Sequence, residues 1–156
     1  MIRNHKLFTT LEIAELHAKR LKYAIQKLNP MIPISAKRFS DLTEDEIPIF
    51  ELFTSRFSKL QDLMDSKLFA LVLEYSKEPG QFETFLDKLN ALEKLGCVNA
   101  KQWLELREMR NHLSHEYPEH PEISADNINR AYDMANSLLK IFQNLILFVN
   151  KIDEKL

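Results

Sequence analysis

The sequence predicts an all-α protein, an antiparallel bundle of four to five helices that forms one domain over residues 1–156. The chain has only 2 glycines and 6 prolines, and Leu, Lys and Glu are abundant. Apolar residues recur every three or four positions along most of the chain, which is the period of an amphipathic helix. The apolar content of 45% and the charged content of 28% are ordinary for a globular protein.

The first predicted helix covers residues 9–28. Thr9 and Glu12 have the spacing of a capping box, in which each side chain bonds the other residue's backbone N–H. One apolar stripe follows, formed by Leu11, Ala14, Ala18, Leu21, Ile25 and Leu28. Residues 29–41 contain two prolines and are expected to be a connector without regular structure.

The second predicted helix starts near a capping box of Thr43 and Glu46 and extends to about Tyr75. Pro48 is expected to delay its regular start by a few residues. Its apolar stripe consists of Phe50, Phe53, Phe57, Leu60, Met64, Leu68, Leu71 and Tyr75. The Pro-Gly pair at 79–80 is expected to end the helix.

Two shorter helices are predicted next. The third is marked by Phe82, Phe85, Leu86, Leu89 and Leu92, and Gly96 is expected to end it. Asn99 and Gln102 can cap the fourth, whose apolar residues are Trp103, Leu106, Met109 and Leu113. Because Pro118 disfavours helical backbone before it, the fourth helix should end near Glu116, with His115 in its last turn.

The last predicted helix covers residues 125–155, with Ser124 as its cap. One face carries Ile128, Ala131, Ala135, Leu138, Phe142, Leu145, Val149 and Ile152. Ile141, Ile146 and Phe148 lie off that line, and one bundle core rarely needs both faces of a helix. The surplus predicts a subunit interface, and therefore a homodimer built on this helix.

Composition excludes several classes of function. The single cysteine, Cys97, leaves no intrachain disulfide and no cysteine-based zinc site. The N-terminus lacks the apolar core of a signal peptide, and no apolar run is long enough to span a membrane, so we expect a cytoplasmic protein without a membrane partner. The net charge of −2 means that any RNA site must be a local cationic patch.

Chemically versatile side chains concentrate at residues 107–118, Arg-Glu-Met-Arg-Asn-His-Leu-Ser-His-Glu-Tyr-Pro. On a continuous helix, Arg107, Asn111 and His115 share one face at intervals of four, and Ser114 and Arg110 flank them. Arg110 and His115 point about 140° apart on such a helix. They could converge if the helix loosens before His115 or if a second subunit completes the pocket.

Simpler interpretations of this segment stay open. Arg110 could pair with Glu105, Glu108 or Glu116, while His115 only caps the helix end. The three nearby histidines at 112, 115 and 120 match no standard zinc spacing, so we expect neither a metal nor another cofactor.

The motif Arg110-Asn111-x-x-x-His115-x-Tyr117 resembles the R-N-x-x-x-H-x-Y signature of the HepT-like toxins of the HEPN superfamily. The resemblance implies a helical-bundle, metal-independent endoribonuclease that acts as a dimer and is paired with a nucleotidyltransferase antitoxin. It implies that Arg110 and His115 are the catalytic pair and that Asn111 assists them. The helical spacing adds Arg107 and Ser114 as supporting residues, and the resemblance implies that Tyr117 is the residue that the antitoxin modifies with AMP to silence the toxin.

Two functions remain open at this stage. The intact Arg–His pair favours an endoribonuclease, whereas the net charge of −2 favours a non-catalytic subunit that binds a nucleotidyltransferase or serves as its substrate. Tyr117 precedes a proline, so we expect an extended turn from which its phenol projects. The alternative is that Tyr117 packs over the turn against Trp103 or Leu113.

Overall fold

The described residues of the computed structural model, 5–115, 117 and 119–155, form helices and no strand. The helices are α1 His5–Leu28, α2 Ala36–Ser40, α3 Ile47–Leu63, α4 Phe69–Ser76, α5 Phe85–Lys94, α6 Ala100–Leu113 and α7 Pro121–Glu154. They pack around one hydrophobic core. The prediction of an all-helical protein is confirmed.

The start of α1 lies earlier than the sequence suggests. Its described part begins at His5, so Thr9 lies inside the helix and does not cap it. The predicted stripe is confirmed as the buried face, with Leu11, Ala14, Ala18, Leu21 and Leu28 buried. An apolar period therefore locates the face of a helix better than a capping pattern locates its end.

The predicted connector contains regular structure, so that prediction is wrong. A 3₁₀ turn covers Asn29–Met31, and α2 follows, capped by the Ser35 hydroxyl, which accepts a hydrogen bond from the Arg38 backbone N–H at 3.1 Å. Asn129 of α7 attaches this segment to the bundle. Its side chain accepts from the Ile34 N–H at 2.8 Å and donates to the Ile34 carbonyl at 2.9 Å.

The predicted second helix is continuous, but one segment within it is π-helical instead of α-helical. Thr43 and Glu46 form the predicted reciprocal hydrogen bonds at 3.0 and 3.2 Å, and α3 begins at Ile47, next to Pro48. A π-helical segment, Met64–Leu68, joins α3 to α4. The helix ends at Ser76 because Lys77 adopts a left-handed conformation with φ 56°, ahead of the predicted Pro-Gly stop.

The ends of α5 and α6 decide where the motif lies. Thr84 caps α5, so Phe82 precedes that helix, and Gly96 follows it with φ 80°. Asn99 caps α6 as predicted, accepting from the Gln102 N–H at 2.9 Å. However, α6 ends at Leu113, so His115 lies beyond its last turn and the predicted end near residue 116 is wrong.

The last helix begins at Pro121, so Ser124 lies inside α7 and is not its cap. Proline fits the first turn of a helix because that turn needs no backbone donor. Ile141 is buried, and Ile146 and Phe148 pack partly buried against the core, because α7 contacts α1, α2, α3, α4 and α6. The core thus accounts for Ile141, whereas Ile146 and Phe148 stay partly exposed, and the homodimer on α7 stays a prediction.

None of the helices in the described part of the chain has the length and hydropathy that a membrane crossing requires.

Candidate functional site

The arginines of the motif helix α6 lie on the flank that faces α3. The Arg110 guanidinium donates from Nε and Nη2 to the two carboxylate oxygens of Asp62, both at 2.6 Å. These hydrogen bonds raise the pKa of Arg110, although burial opposes the shift. Arg110 is therefore a permanent cation held in one orientation by a bidentate pair.

Arg107 lies on the same flank and is held from two sides. Its Nε is 3.3 Å from an Asp65 oxygen, and its guanidinium lies 4.3 Å from the centre of the Phe85 ring. The same Asp65 oxygen accepts from the indole N–H of the buried Trp103 at 3.0 Å and from the Gln61 amide at 3.2 Å. We call Arg107, Arg110, Asp62 and Asp65 the arginine cluster.

The arginine cluster differs from the predicted pairing. Arg110 pairs with Asp62, and not with Glu105 or Glu108; Glu116 lies outside the described residues. Asp65 lies within the π-helical segment, a type of irregularity that is frequent at functional sites.

The C-terminal end of α6 borders an open groove of about 650 Å³ between α2, the start of α3 and the start of α7. We call it the histidine groove. Its apolar lining consists of Phe39, Leu42, Ile47, Phe50, Leu113 and Ile128. Its polar lining includes Glu51, Thr54, His112, His115, Tyr117, Ser124 and Asn127. None of the described residues that line it is Lys or Arg.

His115 lies at this groove on the chain that leaves α6. The residue is exposed, and its imidazole makes no hydrogen bond or ion pair with residues 5–115, 117 or 119–155. The Tyr117 ring stands nearly edge-on to it, with 6.4 Å between the ring centroids. The imidazole is thus free to bind a ligand or exchange a proton.

Tyr117 is partly buried at the groove, so its side chain does not project freely from the surface as expected. Among the described residues the Tyr117 ring contacts that of His115, and the ring contact of the fully buried Trp103 is with Phe69, with 4.6 Å between the ring centroids. Leu113 lines the same groove as Tyr117.

The predicted site residues have different surroundings within the described part of the chain. Arg107 and Arg110 face α3, whereas His115 and Tyr117 border the histidine groove. The predicted line from Arg107 through Asn111 to His115 is broken because the helix ends at Leu113. Asn111 is exposed, and the Ser114 hydroxyl donates to its backbone carbonyl at 2.7 Å.

The histidines near the motif have separate surroundings. His112 lies 3.6 Å from Glu108, and His120 lies 3.2 Å from Glu122. Across the part of the chain that the structure describes, no three or more His, Cys, Asp or Glu side chains are arranged to hold a metal ion.

Asn127, a polar residue that lines the histidine groove, is not among the site residues predicted from the sequence. It is 7% exposed, and its side chain makes no hydrogen bond within the described chain. It precedes the predicted apolar face at Ile128 and lies four residues before Ala131. An asparagine at that spacing was the signal that could have revealed it.

Comparisons with known proteins give no relative for this chain. No protein-family model, no curated protein and no solved structure matches it. Its function is therefore inferred from the motif and from the geometry of the site.

Proposed function

We propose that this protein is a metal-independent endoribonuclease of the HepT-like HEPN type, the toxin of a pair whose antitoxin is a nucleotidyltransferase. The observation that carries the proposal is the state of His115. Its imidazole is exposed beside an open groove and unpaired within the described chain, five positions after an arginine whose guanidinium is fixed. An oriented cation and a free imidazole are the groups that metal-free phosphodiester cleavage requires.

In the proposed reaction the ribose 2′-oxygen attacks the adjacent phosphorus and the bond to the 5′-oxygen breaks. His115 accepts the proton that the 2′-hydroxyl loses and donates the proton that the leaving 5′-oxygen gains. Arg110 stabilises the negative charge on the phosphate oxygens in the transition state. The products carry a 2′,3′-cyclic phosphate and a 5′-hydroxyl, and no cofactor takes part.

The active form in this proposal is a homodimer. Arg110 is bound to Asp62 of α3, whereas His115 borders the histidine groove, so we propose that a second copy completes the site around one phosphate. Two copies with their motifs facing one cleft would place the Arg110 of one beside the His115 of the other. Asn111, which is exposed, would contact the RNA from the same surface.

Control of the toxin is proposed to act through AMP transfer to Tyr117. The phenol forms no hydrogen bond with the described residues, and its ring lies beside His115. An attached AMP would cover the mouth of the histidine groove and add a negative charge where an RNA phosphate must approach. Occlusion and repulsion would both silence the enzyme.

A second candidate is a non-catalytic subunit that binds a nucleotidyltransferase or serves as its substrate. The arginine cluster favours it, because Asp62 already neutralises Arg110 and the net charge of the chain is −2. Both features weaken the attraction of an RNA phosphate to this surface.

RNA cleavage in excess chelator separates the two candidates. We expect the wild type to cut RNA, and His115→Ala and Arg110→Ala each to lose on the order of a hundredfold or more in rate. His120→Ala is the matched control, because His120 is exposed and lies outside the motif. Activity that chelator abolishes, or normal cutting by His115→Ala, contradicts the mechanism. A protein that cuts no RNA but co-purifies with a nucleotidyltransferase supports the second candidate.

Mass spectrometry after co-expression with a nucleotidyltransferase tests the control step. We expect added AMP on the wild type and none on Tyr117→Phe, which should stay active but resist silencing. The exposed Tyr23 provides the control variant Tyr23→Phe. Modification mapped to Tyr23, Tyr75 or Tyr132 contradicts the assignment.

A further inference from the structure

Asn127 combines two properties that rarely occur together in a side chain without a ligand. The residue is 7% exposed, yet its amide forms no hydrogen bond within residues 5–115, 117 and 119–155. Among the described residues no side-chain nitrogen or oxygen is both unpaired and cut off from solvent, so the Asn127 amide still reaches water. Asn127 lines the histidine groove, so its amide is available to a ligand that occupies that space.

The lining of the histidine groove indicates which chemical group fits there. Phe39 and Phe50 form an edge-to-face pair with 5.9 Å between ring centroids, and Leu42 and Ile128 continue the apolar wall. A flat apolar ring with polar edges matches such a lining, since its faces contact apolar side chains while its edge bonds an amide. A phosphate does not match it, because no described lining residue is Lys or Arg and Glu51 is present.

The position of His115 orients the ligand. The imidazole stands at the groove beside Tyr117, so a nucleotide whose base enters the groove would leave its phosphate near His115. The volume of about 650 Å³ exceeds that of one nucleobase, which leaves space for part of the ribose.

We infer that the histidine groove is a nucleobase subsite, in which the Asn127 amide bonds the polar edge of a base that is unstacked from single-stranded RNA. An amide presents one donor and one acceptor side by side, which complements the paired donor and acceptor on the edge of a base. The choice of RNA as the source of the base rests on the proposed ribonuclease function. The groove and Asn127 then determine which nucleotide lies next to the cleaved bond.

The test measures binding without cleavage. The four nucleoside 3′-monophosphates are titrated into wild-type protein and followed by NMR, with ribose 5-phosphate as a probe that has no base. We expect at least one nucleotide to bind and to shift groove resonances, and ribose 5-phosphate to bind at least tenfold more weakly. Asn127→Leu should weaken the nucleotide at least tenfold, and Asn127→Asp, which keeps the shape but loses the donor, should do the same. Asn136→Leu, an exposed site on the same helix, should bind like the wild type.

Three results would overturn the inference: no nucleotide binds in the groove, ribose 5-phosphate binds as tightly as the nucleotides, or both Asn127 variants bind them normally. A peptide that occupies the groove in place of nucleotides would also overturn it. A parallel cleavage assay keeps the two proposals apart. Nucleotide binding without RNA cleavage rejects the ribonuclease and keeps the subsite. Cleavage with the same base preference in wild type and Asn127→Leu rejects the subsite and keeps the ribonuclease.

Discussion

Polar side chains are paired in the arginine cluster, whereas three of those in the histidine groove are not. In the arginine cluster every guanidinium and carboxylate has a partner, and Asp65 alone accepts hydrogen bonds from Trp103 and Gln61 and forms an ion pair with Arg107. In the histidine groove, the side chains of His115, Tyr117 and Asn127 form no hydrogen bond with the described residues. The paired flank is a fixed framework, whereas the groove holds polar groups that a ligand can satisfy.

The two carboxylates of the arginine cluster contribute differently. Asp62 and Arg110 have side-chain exposures of 48% and 28%, so their ion pair contributes little to stability and mainly orients the guanidinium. The Asp65 side chain is only 14% exposed and bonds the fully buried Trp103, so its loss leaves a buried donor without a partner. We therefore expect Asp65 to contribute more to the stability of the protein than Asp62.

The largest expected effect is on the paired flank. Asp65→Ala should lower the free energy of unfolding by about 2–3 kcal/mol, because the Trp103 N–H and the Gln61 amide lose their acceptor inside the protein. Asp65→Asn keeps an acceptor and should recover part of the loss. Urea unfolding measures both, with Ser124→Ala in the groove as the control. A loss below about 0.5 kcal/mol for Asp65→Ala would contradict this account.

The next prediction concerns the histidine groove, where a substitution should increase the free energy of unfolding instead of lowering it. Asn127→Leu should raise the free energy of unfolding by up to about 1 kcal/mol, because it replaces a largely buried amide, which reaches solvent but has no hydrogen bond within the described chain, with an apolar side chain of similar size. Asn136→Leu, on the exposed face of α7, should change it by less than about 0.5 kcal/mol. Thermal and urea unfolding provide the comparison. If Asn127→Leu destabilises the protein, the amide has a stabilising role in the fold and the contrast with the arginine cluster fails.

The helices could be predicted from the sequence because local periodicity determines them. The stripes of α1 and α6, the Asn99 cap and the stop at Gly96 depend on residues within a few positions of each other. The end of α6 and the start of α7 were harder to predict, because the prolines and the serine between residues 113 and 124 indicate different helix boundaries. The π-helical segment Met64–Leu68 was not predicted, since neither glycine nor proline marks it.

The candidate site could be predicted only in part, for a related reason. Arg110, His115 and Tyr117 were identified because they lie within one short motif. Asp62 could not be assigned to Arg110 because the two are 48 positions apart and meet only when α3 packs on α6. Whether an arginine faces the groove or the framework depends on that tertiary packing and not on its spacing from His115.

A smaller effect on stability is expected for the exposed pair of the arginine cluster. Asp62→Asn should lower the free energy of unfolding by about 0.5 kcal/mol, since the ion pair is open to solvent. If the ribonuclease proposal holds, the same change should lower the cleavage rate by roughly tenfold, because Arg110 loses the partner that orients it. Asp126→Asn is a matched control: Asp126 pairs with Arg130 at 3.9 Å, away from the motif. An unchanged cleavage rate for Asp62→Asn would show that orientation by Asp62 is not needed.

The smallest effect concerns the segment between α2 and α3, where acid should protonate one carboxylate. Arg38 donates to Glu46 at 3.0 Å and Thr43 donates its N–H at 3.0 Å, and these hydrogen bonds lower the pKa of Glu46 to about 2 from an ordinary value of 4.5. Because the folded pKa is depressed, the contribution is fully present above pH 4.5 and is lost as the pH falls through about 2. The link between α2 and the start of α3 should therefore survive mild acid.

An NMR titration of the Glu46 side-chain carboxyl carbon tests this directly. The midpoint should lie near pH 2 in the wild type and move towards 4.5 in Arg38→Gln, which removes the largest cause of the shift. Thr43→Val should move it less, because it removes the side-chain hydroxyl while leaving the backbone N–H that Glu46 accepts from. A wild-type midpoint near 4.5 would mean that Glu46 does not hold Arg38 in solution. Without that ion pair, the segment that joins α2 to α3 would be held less firmly than the paired side chains of the arginine cluster.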